Sequence, residues 1–215
     1  MSEQPASPSA RQTELLEAAY RYALEHGLAD LSLRPLATAI GSSPRVLMFL
    51  FGNKDGLVRA LLARARADEL AVLDGLAAGP DPVGLVPAAE QIWVWLREPR
   101  HRPLLRLWAE AYTRSLIEPD GAWAGFAAST VTDWLGLLAS CQPEPERDTV
   151  DGAAHRTAAL AALRGCLLDL LATGDQARVD AALRLQLDLI GRQPVSRAAG
   201  TPQRPGYQLD GRAAF

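Results

Sequence analysis

The amino-acid sequence predicts an all-α protein of about nine helices. Apolar residues recur at spacings of three and four through most of its 215 residues, and no segment keeps the strict alternation of a half-buried strand. Serine, asparagine, proline and glycine punctuate the apolar runs where helices of ordinary length would start and stop. Within that pattern residues 31–62, LSLRPLATAIGSSPRVLMFLFGNKDGLVRALL, read as two short helices joined by a tight turn, then the start of a long third helix.

Taken in order, the first ten residues, MSEQPASPSA, are polar, hold two prolines and lack an apolar core, so they read as a flexible tail and not as a signal peptide. Ser32 can cap a helix whose apolar positions are Leu33, Leu36, Ala37 and Ile40. Gly41 then permits the left-handed backbone needed to leave it. Ser43 followed by Pro44 is an N-cap with proline at the first helical position, where the missing N–H does no harm. The second short helix carries Val46, Leu47, Leu50 and Phe51. Asn53 caps the third, which opens with Lys54 and can run to about Leu76, before the GPDP turn at Gly79–Pro82. Two short helices joined this tightly form a helix-turn-helix, the device that places a helix N-terminus in the DNA major groove.

Charge is segregated toward that module. The chain carries −3 overall, which argues against a nonspecific nucleic-acid binder. Residues 31–67, however, hold Arg34, Arg45, Lys54, Arg59, Arg64 and Arg66 against the single anion Asp55, a balance of +5, while residues 71–191 stand at −6. Arg64 and Arg66 fit ordinary solvated positions on the long helix. Arg34 and Arg45 lie near helix N-termini, where a cation opposes the helix dipole and an external anion would offset the placement.

Beyond the long helix, Asp81-Pro82 starts a helix with Val86, Ala89, Ile92, Trp93 and Leu96 on its apolar side, and Leu104 to Ile117 forms the next after Pro99 and Pro103. Pro119-Asp120 opens another through Phe126, Val131, Trp134, Leu135 and Leu138, and QPEPE at 142–146 reads as a loop. Thr157 to Ala172, TAALAALRGCLLDLLA, is apolar around most of its circumference, and Arg178 to Ile190 follows the Thr173-Gly174-Asp175 break. Such a helix needs burial on more than one side, which a two-fold four-helix interface supplies, a plain intramolecular core being the alternative. Residues 192–215 hold three prolines, four arginines and one acidic residue, the composition of a flexible tail.

All five tryptophans, Trp93, Trp95, Trp108, Trp123 and Trp134, fall in the middle helices beside Tyr112 and Phe126. Large aromatics concentrated in one region can line an apolar cavity for a ligand or simply fill a core. Trp93, Leu96, Trp108, Tyr112 and Phe126 are the candidate lining residues, with Arg106, Glu110 or His101 as polar anchors. Trp93 and Trp95 point apart, because two residues turn a helix by about 200°.

Several function classes have no support. No run of 18 apolar residues spans a membrane. Cys141 and Cys166 stand 25 apart without a CxxC pair and with only His155 nearby, so they read as buried, inert thiols, and no metal or cofactor is expected. The three histidines belong to no triad, and no nucleotide-binding or hydrolase motif occurs, so the chain is not expected to be an enzyme.

Residues 11–66 resemble the TetR family of transcriptional regulators, whose pattern is close to S-x-x-x-[IL]-A-x-x-x-G-x-S-x-x-x-[LF]-Y-x-H-F-x-x-K-x-x-L. Ser32, Leu36, Ala37, Gly41, Ser43, Leu47, Phe51, Lys54 and Leu57 stand at matching places, and Leu15, Leu16, Ala18, Ala19 and the His26-Gly27 pair look like the family's first helix and its exit. Met48 and Leu50 replace the family's tyrosine and histidine, which commonly contact phosphate. The resemblance implies a helix-turn-helix DNA-binding domain over 11–56 and a ligand-binding and dimerisation domain over 57–191. It also implies a homodimer through helices at about 157–173 and 176–190, with a palindromic operator and a small effector as partners. The DNA-facing residues would be Ser32, Arg34, Ser42, Ser43, Pro44, Arg45, Met48, Phe49 and Lys54. The function so implied is a cytoplasmic, ligand-responsive repressor. A second reading keeps the helical small-molecule-binding protein and drops strong operator binding.

Overall fold

The computed structural model describes residues 9–28, 30–77, 82–118 and 120–192. The expected tails, apart from residues at their inner edges, and most of the GPDP turn lie outside the described residues. Ten α-helices make up the described chain: α1 Ala10–His26, α2 Leu33–Ala39, α3 Pro44–Phe51, α4 Lys54–Ala77, α5 Leu85–Leu96, α6 Arg102–Ile117, α7 Phe126–Ser140, α8 Glu144–Arg147, α9 Val150–Thr173 and α10 Gln176–Arg192. No strand occurs among the described residues.

The N-terminal helices start where side chains can receive their first N–H groups. Ser9 Oγ accepts from Gln12 N, Ser43 Oγ from Val46 N at 3.3 Å, and Asn53 Oδ1 from Gly56 N at 2.7 Å. Ser32 differs from expectation: it occupies the cap of α2 but its hydroxyl makes no cap hydrogen bond. Leu15, Leu36, Leu47, Leu57 and Leu61 bury almost completely and hold α1–α4 together.

Further along, four boundaries move. Residues 120–125 form a turn and α7 begins only at Phe126, because Gly121 and Gly125 take φ of 92° and 73°, incompatible with a continuing helix. Residues 142–146 are not a plain loop, since Glu144–Arg147 makes one helical turn. The helix expected from Thr157 starts at Val150, where Thr149 Oγ1 accepts from Gly152 N at 2.9 Å. The helix expected from Asp81-Pro82 starts at Leu85.

α9 and α10 pack on each other through Leu163, Leu167 and Leu170 on one and Val179, Leu183 and Leu187 on the other. Both leave an apolar stripe exposed. Ala158, Ala161, Gly165, Leu168 and Ala172 lie along α9, and Ala182, Leu185 and Leu189 along α10.

Candidate nucleic-acid interface and ligand cavity

The first turns of α2, α3 and α4 open onto one broad surface groove, lined by Ser32, Arg34, Pro44 and Lys54 together with residues 30, 31 and 33. Helix N-termini carry partial positive charge and unsatisfied N–H groups, so their convergence favours an anion. Arg34, Arg45, Lys54 and Arg59 are exposed and make no ion pair among the described residues. Two of them, Arg34 and Lys54, line the groove with a single carboxylate, Asp30, which pairs with neither, and this excess of positive charge suits phosphate.

The exposed side of α3 continues the face. Arg45 and Ser43 stand at its start, and Met48 and Phe49 project from its middle, 49% and 86% exposed. Ser42 is half-buried, with its hydroxyl unpaired. Leu50 is half-buried, and its carbonyl accepts from Gln12 Nε2 at 3.1 Å. Arg64 and Arg66 are not solvated positions. Arg64 pairs with Glu17 and Asp68 and lies over the Tyr20 ring, and Arg66 pairs with Asp133. Their charge is spent inside the fold, so fewer cations are free for a partner than the composition of residues 31–67 suggests.

The larger helical unit holds a narrow cavity of about 40 Å³. Its walls include Trp95, Leu96, Trp108, Phe126 and Trp134, with Glu69 from α4 and Arg164 from α9 as polar members. Trp134 Nε1 donates to Glu69 Oε1. Burial pushes the Glu69 carboxyl above the usual range, against the Trp134 bond and the nearby Arg66 and Arg164 charges. Burial likewise lowers Arg164, whose guanidinium lies 5.2 Å over the Tyr112 ring with no carboxylate in ion-pair contact.

Of the expected lining residues, Leu96, Trp108 and Phe126 reach the wall and the others do not. Trp93 turns away, because its indole donates to Asp180 at 2.6 Å, a carboxylate that also receives Arg97 at 2.8 Å. Arg106 is exposed. Tyr112 sits against Trp108, ring centroids 5.1 Å apart, behind the wall. Glu110 faces the N-terminal unit and accepts from the Leu28 amide through both oxygens, at 3.2 and 3.0 Å. His101 stacks on Trp95 at 4.1 Å and bonds its carbonyl, bracing the ring from outside. Sequence reasoning missed Glu69, Arg164, Trp95 and Trp134 as wall residues. The one available signal was Arg164, the lone charge in twelve residues of an otherwise apolar helix, from 157 to 168.

The two cysteines form no disulfide; Cys141 is buried and Cys166 half-buried, and burial raises both thiols. No helix among the described residues is long and apolar enough to cross a membrane.

Residues 15–61 match the sequence model of the bacterial regulatory proteins of the tetR family. No curated protein matches the chain. Among solved structures, a TetR-family transcriptional regulator from Cytophaga hutchinsonii superposes with a TM-score of 0.71 at 17% identity, covering 88% of this chain and 97% of that one. Residues 15–61 thus carry the tetR-family helix-turn-helix. Salmonella enterica GusR matches at TM-score 0.62 and 19% identity, over 87% of this chain and 97% of its own. EbrR, a multidrug binding protein solved with proflavin, matches at 0.61 and 24%, over 83% and 99%. The fold shared with these structures extends well past the matched helix-turn-helix, and the match over 15–61 supports DNA-binding transcriptional regulation.

Proposed function

We propose that this protein is a homodimeric, ligand-responsive repressor that holds a palindromic operator until a small apolar or aromatic effector enters the cavity. The observation that carries the reading is the opening of the first turns of α2, α3 and α4 onto one groove that holds the exposed, unpaired cations Arg34 and Lys54. Ser32, Arg34 and Lys54 would hold phosphates, the Ser32 hydroxyl being free of any capping role. Ser42, Ser43, Pro44 and Arg45, at the start of α3, would reach base edges, with Arg45 on a guanine. Met48 and Phe49 would meet thymine methyls or sugar. Residues 11–56 form the DNA-binding unit and 57–191 the effector and dimerisation unit.

The exposed stripes of α9 and α10 support dimerisation through about 157–173 and 176–190. Leu168, Leu185 and Leu189 are 51%, 59% and 49% exposed, an apolar area that a two-fold four-helix packing would cover. Two copies of α3 would then meet the two half-sites of a palindrome. The setting is the cytoplasm, and no catalysis is involved.

Linkage supplies the release mechanism. About 40 Å³ holds roughly three water molecules, so a ring-sized effector binds better to a form with parted walls. A ligand shifts the population only through such differential affinity. α4 carries Lys54 at its start and Glu69 on the wall, about 22 Å apart along the axis at 1.5 Å per residue. Glu110, on the same helix as Trp108, grips the Leu28 amide at the end of α1, so movement of α6 reaches the DNA-binding unit by a second route. Coupling of about 1–3 kcal/mol would change operator affinity roughly 5- to 150-fold.

Titration of DNA fragments flanking the gene by fluorescence anisotropy, with size exclusion for the oligomer, tests the reading. A dimer that prefers one palindromic fragment, with affinity falling steeply in salt, supports it. Weak, sequence-indifferent binding would replace it with a small-molecule-binding protein that has lost its operator, a reading favoured by the two missing donors at Met48 and Leu50.

A further inference from the structure

The cavity contains more hydrogen-bond donors than its own acceptors satisfy. Trp108 is 8% exposed, and its indole N–H has no partner. Arg164 Nη2 is likewise buried and unpaired, while Arg164 Nη1 reaches only the Tyr112 hydroxyl at 3.4 Å. Both residues line the cavity. Buried donors without partners are rare and costly, so two in one apolar cavity mark a place where an acceptor belongs.

The other polar groups are already engaged. Arg66 is held by Asp133, and Glu69 accepts from Trp134. Burial raises the Glu69 carboxyl, and the Trp134 bond and the Arg66 and Arg164 charges act against that rise. The cavity thus has an unpaired guanidinium, a free indole N–H and three tryptophan rings with a phenylalanine around them. Planar carboxylates suit a guanidinium fork, and flat rings suit narrow slots between aromatic side chains.

We propose that the effector is a compact aromatic carboxylic acid, bound as its anion with the carboxylate on Arg164 and Trp108 and its ring between the tryptophans. This rests on the effector-cavity reading above and names its ligand class. Charge is therefore the property to test.

Isothermal titration of the full chain with naphthalene-2-carboxylate, naphthalene-2-methanol and naphthalene-2-methylammonium compares three ligands that share a ring system and differ in charge. The carboxylate is expected to bind at least tenfold tighter than the alcohol and the ammonium weakest. Trp108→Phe keeps a ring in the wall and removes only the N–H, and Arg164→Gln removes the charge; each should shrink the carboxylate-to-alcohol ratio severalfold while the alcohol still binds. A ratio near one in the wild type, or tighter binding of the ammonium, overturns the carboxylate proposal and leaves the cavity reading standing. An unchanged ratio in folded Trp108→Phe and Arg164→Gln also overturns it. Binding by none of the three removes the effector cavity itself, and the proposal with it.

Discussion

α4 treats charge in opposite ways at its two ends. At its start Lys54 is exposed beside Ser32 and Arg34, and no carboxylate among the described residues pairs with either cation. Further along, Arg64, Arg66 and Glu69 are each tied to a neighbour on α1, α4 or α7. An exposed, unpaired cation contributes little to folding and keeps its field for a partner, whereas a partly buried pair orients helices and hides its charge. On the proposed function, the first end is available to any phosphate, and the second needs a ligand small enough to enter.

The comparison predicts that stability and DNA binding separate by residue. Leu47 is 1% exposed and anchors α3, whose Pro44 lines the groove. Leu47→Ala should cost about 2–5 kcal/mol in urea unfolding and lose operator binding as α3 loosens. Operator binding that survives so large a loss would show that α3 is positioned by something other than its core contact.

Arg45→Ala is the complementary case. Arg45 is exposed with no ion pair, so unfolding should change by less than about 0.5 kcal/mol. Operator affinity should fall by about 1–3 kcal/mol per recognised base pair, with relaxed specificity there. Equal loss on every sequence would make Arg45 a phosphate contact instead.

The two ends were also unequally legible in the sequence. The helix-turn-helix is local: Ser43-Pro44, Asn53 and Lys54 carry their meaning within a few residues, and the structure places those caps where the spacing puts them. The cavity is assembled from α4, α5, α6, α7 and α9, so membership depends on which way each helix is rotated in the bundle. Trp93 and Trp95 differ by two positions, and only the partner Asp180 on α10 decides which faces inward. Glu110 lies between cavity residues in sequence yet turns to Leu28, 82 residues away. Long-range pairing of this kind leaves no periodic signature in one chain.

The buried end has its own pH test. Glu69 has its carboxyl raised in the fold, so between the ordinary glutamate range and its folded value the native state binds more proton than the unfolded chain. Its contribution to stability is therefore greatest below that window and declines as pH rises through it. Thermal melts of wild type and Glu69→Gln from pH 4 to about 8 should show the wild type losing stability relative to the glutamine variant as pH rises. Parallel melting curves across that range would place Glu69 in a better-solvated setting than the cavity provides.

At the exposed end, Lys54→Ala removes one cation from the groove without disturbing the core. Lys54 begins α4 and is exposed, with Asn53 retaining the cap through its bond to Gly56 N. All DNA sequences should weaken alike, and the slope of log affinity against log salt should fall by about one unit. An unchanged slope would take Lys54 off the phosphate contacts.

Met48 gives the smallest effect and the finest discrimination of how α3 docks. The family resemblance expects a tyrosine hydroxyl at this position, and methionine has no donor to replace it. Met48 is 49% exposed on the outer side of α3, so a tyrosine there needs no core rearrangement. A new O–H on a phosphate should strengthen operator binding by about 0.5–1.5 kcal/mol, the net worth of one neutral hydrogen bond. Titrating the operator with wild type and Met48→Tyr at one fixed salt concentration measures it, and unfolding of both proteins checks that stability is level. Stronger binding would mean that the groove of Ser32, Arg34 and Lys54 already sits on the backbone with α3 in the family's register. Weaker binding would mean that α3 docks in a register other than the family's, and the roles given to Arg45 and Lys54 would have to be redrawn with it.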